Sequence, residues 1–208
     1  MNKILFLDTL GTGPNPDRYA IYRLGGIYTE NGVEKNRFEF RMRPYRNARI
    51  QDQSLWIGGE SRSSLIYYPD EAKVLEDFVG YLSGIVDIRN PKDKLYIAGF
   101  NVAAFDAPFI RSWFLRNGNE NFRNYFFVQT IDLMSIAAFT LMEQRRSMPD
   151  FHLETAARYL GVRIESGDKY DSIRNAKVCL DIYRNLQVRY GLAECTDTSV
   201  ATEIIKNF

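Results

Sequence analysis

Two aspartates mark where chemistry can occur in this 208-residue chain. Asp8 closes the apolar run Ile4-Leu5-Phe6-Leu7 and leads into Thr9-Leu10-Gly11-Thr12-Gly13, and Asp106 closes Asn101-Val102-Ala103-Ala104-Phe105. Taken singly, an Asp at a strand end reads as a turn residue and an Asp at a helix start as a helix-start residue. Taken together, two carboxylates can hold one hard divalent ion, Mg²⁺ or Mn²⁺, weakly and with many waters. Leu10 offers no ligand. His152 is the only histidine and reads as a surface or capping residue at a helix start. Gly11-x-Gly13 is not followed by the Lys-Ser/Thr of a phosphate loop, and Pro14 and Pro16 bar an immediate helix. Cys179 and Cys195 lack metal-ligand spacing and read as reduced thiols.

Three stretches carry a family resemblance. Phe6-Leu7-Asp8-Thr9-x-x-Thr12-Gly13, Ala98-Gly99-Phe100-Asn101-Val102-Ala103-Ala104-Phe105-Asp106 and Tyr170-Asp171-Ser172-Ile173-Arg174-Asn175-Ala176 resemble, in order and spacing, the three motifs of the DnaQ-like (DEDD, DEDDh) 3'–5' exonucleases. The resemblance covers nearly the whole chain. It implies a ribonuclease H-like α/β fold with a mixed five-stranded sheet. It also implies phosphodiester hydrolysis by two divalent ions roughly 4 Å apart, one generating the nucleophile and one stabilising the leaving oxygen.

The family's motifs read Asp-x-Glu, Asn-x-x-x-Phe-Asp and His-x4-Asp. Asp8 and Asp106 keep their carboxylates and are the metal ligands the resemblance implies. Leu10 stands at the Glu, Tyr170 at the His and Asn175 at the last Asp. An amide is a poor substitute for a carboxylate on a dication. A phenol with an ordinary pKa near ~10 is a poor base at neutral pH. A Tyr-type branch of the family uses Tyr-x3-Asp, but Arg174 stands four residues after Tyr170. Asp171 reads as a helix cap, and recruitment of Asp171 or Asp168 would require the helix start to be reshaped. The expectation is a catalytically inactive or very weak homologue that binds nucleic acid or docks a protein. The alternative is an active metal-dependent exonuclease with an atypical site. The motifs also make Thr9, Thr12, Asn101 and Phe105 candidate substrate contacts.

Between Arg37 and Arg49 stand five arginines, with Phe38, Phe40 and Met42 alternating among charged residues. That period of two gives a strand with one buried face and one arginine-rich face. Such charges guard a sheet edge against pairing, or Arg41 and Arg43 contact phosphates. Trp56, Tyr67 and Tyr68 follow in a loop-rich stretch, Ile50 to Tyr68, where aromatic faces can stack on bases.

The elements that must position these residues alternate between strand and helix. Lys3 to Asp8, Tyr19 to Thr29 and Val33 to Arg43 read as a three-strand meander, the last two joined at Asn31-Gly32. Pro69 to Ile85 reads as an amphipathic helix and Leu95 to Gly99 as a strand. Phe105 to Asn117 reads as helix, Phe126 to Thr130 as strand, and Asp132 to Gln144, Leu153 to Leu160 and Ile173 to Tyr190 as helices. One domain is expected over 1–190, with 191–208 as a tail in which Ile204, Ile205 and Phe208 dock.

Hydrophobic residues make up 45% and charged residues 25%, and net charge is +1. A near-neutral chain has no global pull toward nucleic acid, so binding must come from a local patch. No stretch approaches the ~18 apolar residues of a membrane span. The expected setting is cytoplasmic, with a single strand or its 3' end, or a replication or repair protein, as partner.

Overall fold

A computed structural model describes residues 2–192; Cys195 and the rest of the expected tail lie outside the described residues. Strands β1 (Lys3–Gly11), β2 (Ile21–Glu30) and β3 (Val33–Arg41) form the expected antiparallel meander. Asn31 and Gly32 both take positive φ, 50° and 79°, as a two-residue hairpin turn matching strand twist requires. Strand β4 (Leu95–Gly99) runs parallel to β1, and β5 (Ile131–Asp132) runs parallel to β4, giving the order β3-β2-β1-β4-β5. β3 is therefore an edge.

Successive residues of a strand point to opposite faces, and β1 divides its side chains accordingly. Leu5 and Leu7 pack with Phe78 of α3 (Glu71–Ser83) and with Phe109, Ile110, Trp113 and Phe114 of α4 (Asp106–Arg116). Ile4 and Phe6 pack on the other face, against Leu133 and Ala137 of α6 (Leu133–Thr140), Ala156 and Ala157 of α7 (Leu153–Tyr159), and Cys179, Ile182 and Leu186 of α8 (Ser172–Arg189). Each fully buried Leu, Ile or Phe contributes roughly 1.5–3 kcal/mol. The same alternation sends Asp8 toward α8 and Thr9 toward α4.

Three expectations are corrected. Phe126 to Thr130 is not a strand: Phe126 makes one bridge to Leu95, Val128 is exposed, and the fifth strand is Ile131–Asp132. The apolar look of the stretch reflects Tyr125 and Phe126, which are buried, and Phe127, which stacks on Tyr96. The supposed loop from Ile50 to Tyr68 contains α1 (Asp52–Ile57) and α2 (Arg62–Leu65), which bury Leu55 and Leu65 against Tyr22. Both helices are too short to show a helical period. The helix expected to run to Gln144 ends at Thr140, and a 3-10 turn follows at Arg145–Ser147. A short α5 (Phe122–Tyr125) was also not expected. At α3 the cap is Asp70, accepting from the Ala72 N–H at 3.0 Å, so Pro69 precedes the helix.

Candidate nucleic-acid site

Asp8 lies in the C-terminal half of β1, and Asp106, a charge neighbour of Asp8, is hydrogen-bonded to the next residue of the strand, Thr9. Asp106 opens α4 and is 4% exposed. Its Oδ1 accepts from the Thr9 N–H at 2.8 Å and the Thr9 hydroxyl at 2.7 Å. Thr9 thus spends its hydroxyl orienting that carboxylate. Asp8 is half-buried. Burial and then the Asp106 carboxylate hold its carboxyl well above the usual range, against a hydrogen bond from Asn175. Burial also raises Asp106, despite the two bonds from Thr9. Two raised carboxyls in one place make a cation-seeking pair.

The start of α8 supplies the third side. Asp171 caps the helix, accepting from the Ile173 and Arg174 N–H groups at 2.9 and 3.0 Å. Helix and sheet approach closely because Gly25, the register partner of Asp8, has no side chain. A Cβ there would lie 2.3 Å from the Ser172 hydroxyl oxygen. The Asn175 amide consequently reaches Asp8 Oδ2 at 3.3 Å and the Lys169 carbonyl at 3.0 Å. Tyr170, half-buried, has the Lys169 ammonium 4.9 Å from its ring centre. The Asp168 side chain accepts from the Tyr170 N–H at 2.9 Å.

Leu10 packs into the small apolar cluster of Tyr22, Leu55 and Leu65. Directly across the ladder from it stands Arg23, 8% exposed, whose Nη2 donates to Glu60 at 3.0 Å. Glu60 also accepts from the Ser64 hydroxyl at 2.6 Å and from the Tyr68 hydroxyl. Burial would raise its carboxyl, but these hydrogen bonds, with Arg23, bring it below the ordinary range. Arg23 and Glu60 were missed by sequence reasoning. The available signal was a lone arginine inside the apolar run Ile21-Tyr22-Arg23-Leu24.

The remaining candidate residues divide by location. Thr12 is fully buried; its hydroxyl donates to the Arg49 carbonyl at 2.7 Å and accepts from the Ala20 N–H at 3.0 Å. Asn101 is exposed with φ of 67°, and its N–H donates to Asp132 at 3.2 Å. Asp132 also accepts from the Ala103 and Met134 N–H groups, so it fixes the loop before Asp106 while capping α6. Phe105 packs at a tilt of 44° against Phe109, near Gly11. Trp56 is 80% and Tyr67 83% exposed. On the β3 edge, Arg41 pairs with Glu39 at 2.8 Å and Arg43 with Asp70 at 3.3 Å. His152 precedes α7 at the cap position, exposed, with no side-chain cap bond.

The mixed five-stranded sheet with flanking helices, in the order β3-β2-β1-β4-β5, is the exonuclease form of the ribonuclease H-like fold. The chain belongs to the RNase_T exonuclease family, whose model matches residues 5–166. No curated protein matches the sequence. Among solved structures, the chain is similar to the zinc-bound form of Escherichia coli exonuclease I in complex with single-stranded DNA. That match has 18% identity and a TM-score of 0.73, covering 92% of this chain and 41% of that one. The same enzyme with a dT13 oligonucleotide matches at 18% identity and a TM-score of 0.73, covering 92% and 42%. An apo exonuclease I structure matches at 17% identity and a TM-score of 0.70, covering 90% and 42%. The chain therefore spans about two-fifths of the length of these structures. Among the described residues no helix is long and apolar enough to cross a membrane.

Proposed function

We propose that this chain is an exonuclease-fold module that binds single-stranded nucleic acid, or its 3' end, without appreciable hydrolysis. The observation that carries the reading is what surrounds Asp8. At the position of the family's second carboxylate, Leu10 lies in an apolar cluster. At the position of the last one, Asn175 donates an N–H to Asp8. A pair of Mg²⁺ or Mn²⁺ ions brings four positive charges and needs oxygen ligands. Asp8 and Asp106 supply at most two negative charges, Oδ1 of Asp106 already accepts two hydrogen bonds, and an arginine stands nearby. This donor set does not fit two ions. Asp171 and Asp168 are occupied with backbone N–H groups of their own turn, which argues against their recruitment. Among the described residues no cluster of three or more His, Cys, Asp or Glu groups is placed to hold a metal.

Support for nucleic-acid binding comes from the exonuclease I complexes with single-stranded DNA and from the exposed rings of Trp56 and Tyr67. Base stacking on an exposed aromatic face contributes about 1–3 kcal/mol per base and tolerates any sequence. The test is degradation of a labelled single strand in Mg²⁺ and in Mn²⁺, beside a Leu10→Glu, Tyr170→His, Asn175→Asp triple variant. A silent parent and an active variant are expected. Metal-dependent degradation by the parent that vanishes in Asp8→Ala establishes an active enzyme instead.

A further inference from the structure

Within that binding reading, on which the following rests, one charged group beside the carboxylates keeps a donor that its own partners do not use. Arg23 and Leu10 are directly paired in the β1–β2 ladder. Paired residues project from one face, and so do residues two apart along a strand. Arg23 therefore shares its face with Leu10 and Asp8. Its side chain is 10% exposed, and that of its partner Glu60 7%. Nη2 donates to the Gly58 carbonyl at 3.4 Å and to Glu60 at 3.0 Å. The buried Nε–H has no acceptor among the described residues. A guanidinium has five N–H donors in a rigid fork and stays charged at every pH at which proteins are handled.

We propose that Arg23 is the built-in cation of this site and binds a phosphodiester oxygen of single-stranded nucleic acid without any divalent ion. Two acidic side chains repel a phosphate when ionised, and an exonuclease overcomes that repulsion with metal ions. This chain places a permanent positive charge on the same face instead. The fork is held in orientation, because Glu60 is itself fixed by Ser64 and Tyr68. Planar, bidentate geometry matches a phosphate better than a lysine ammonium does. Leu10 and the Gly58 backbone flank the guanidinium, since a Cβ on Gly58 would lie 3.1 Å from Leu10 Cδ1. Trp56, two residues before Gly58, presents an aromatic face from the same segment.

The experiment is binding of a labelled oligothymidylate in EDTA, followed by anisotropy and by tryptophan emission. The change in emission on binding reports on Trp56, because the other tryptophan, Trp113, is fully buried away from any ligand. The parent binds in EDTA, and adding Mg²⁺ leaves the affinity within about twofold of that value. Arg23→Gln, shown folded by circular dichroism, weakens binding about tenfold or more, as loss of a charge-assisted bond to phosphate requires. It also lowers the salt slope by about one. Because Arg23→Gln also removes one cationic partner of Glu60, leaving Arg41 Nη1 at 3.8 Å with the Ser64 and Tyr68 hydroxyls, Glu60→Gln is the second variant. It releases the guanidinium from its anion and tightens binding severalfold, a gain that a purely structural arginine does not produce. Unchanged binding by folded Arg23→Gln, or binding that requires Mg²⁺, overturns the role of Arg23 and leaves the binding module standing. Absence of binding by the parent under both conditions overturns the module itself.

Discussion

The Asn175 amide donates to the Asp8 carboxylate at 3.3 Å, across 167 positions of sequence. That contact places a neutral donor where the family's pattern has a second acid, and it relieves part of the burial cost of Asp8. Asn175→Asp replaces attraction with repulsion between two poorly solvated carboxylates. A loss of about 1–3 kcal/mol is expected in EDTA. Thermal unfolding with and without Mn²⁺ checks it, and the added acid makes the variant recover with Mn²⁺ more than the parent does.

Asp8→Asn changes the pH dependence of stability in a defined direction. The folded-state pKa of Asp8 lies above its unfolded value, so the native state binds more protons than the unfolded chain between the two. Stability from this group is present at and below the unfolded pKa and declines as pH rises through the folded one. Asp8→Asn is therefore neutral near pH 4 and stabilising toward pH 8. Urea titrations at the two pH values measure it, and an equal effect at both contradicts the raised pKa.

Thr9→Val removes the hydroxyl that donates to buried Asp106 while leaving the Thr9 N–H in place. The cost is about 1–3 kcal/mol at neutral pH. Thr9→Ser, which keeps the oxygen, costs less. Chemical denaturation of the pair separates the hydrogen bond from the lost methyl group.

Gly25→Ala tests why α8 comes so near the sheet. Its Cβ would lie 2.3 Å from the Ser172 Oγ and 2.7 Å from the Ser172 Cβ, so the helix start must move. Overpacking of this kind costs about 1–3 kcal/mol. The variant melts lower, and a Gly25→Ala, Ser172→Gly double variant recovers part of the loss.

Trp56→Ala leaves stability within about 0.5 kcal/mol, as an exposed surface change should, yet weakens oligothymidylate binding. Equal affinity would remove Trp56 from the interface.

The meander, its Asn31-Gly32 turn, strand β4 and the start of α8 were legible in sequence because each has a local cause: alternation, turn chemistry, an apolar run or a cap. Arg37, Arg41 and Arg43 were legible as a charged strip along an edge strand and just past its end, and each is paired with an acid. Phe126 to Thr130 misled because aromatics packed around a turn imitate strand composition. The Arg23–Glu60 pair was invisible for a different reason. It joins β2 to the segment between α1 and α2, 37 positions on, and neither residue has a local pattern that names its partner.

The pairing of β1 with β4 and its closure by α8 also fix when the site can exist. As the chain leaves the ribosome, the early meander forms from neighbouring segments, but one edge of β1 stays unpaired until Leu95–Gly99 emerges. Its Asp8 face stays uncovered until α8 is made, near the end of the described chain. Long-range closures of this kind are slow, and they expose strand edges to other chains while they wait. Among the described elements the surface around Asp8 is thus the last to be completed, and a chain truncated before α8 carries the carboxylates without the wall that orients them.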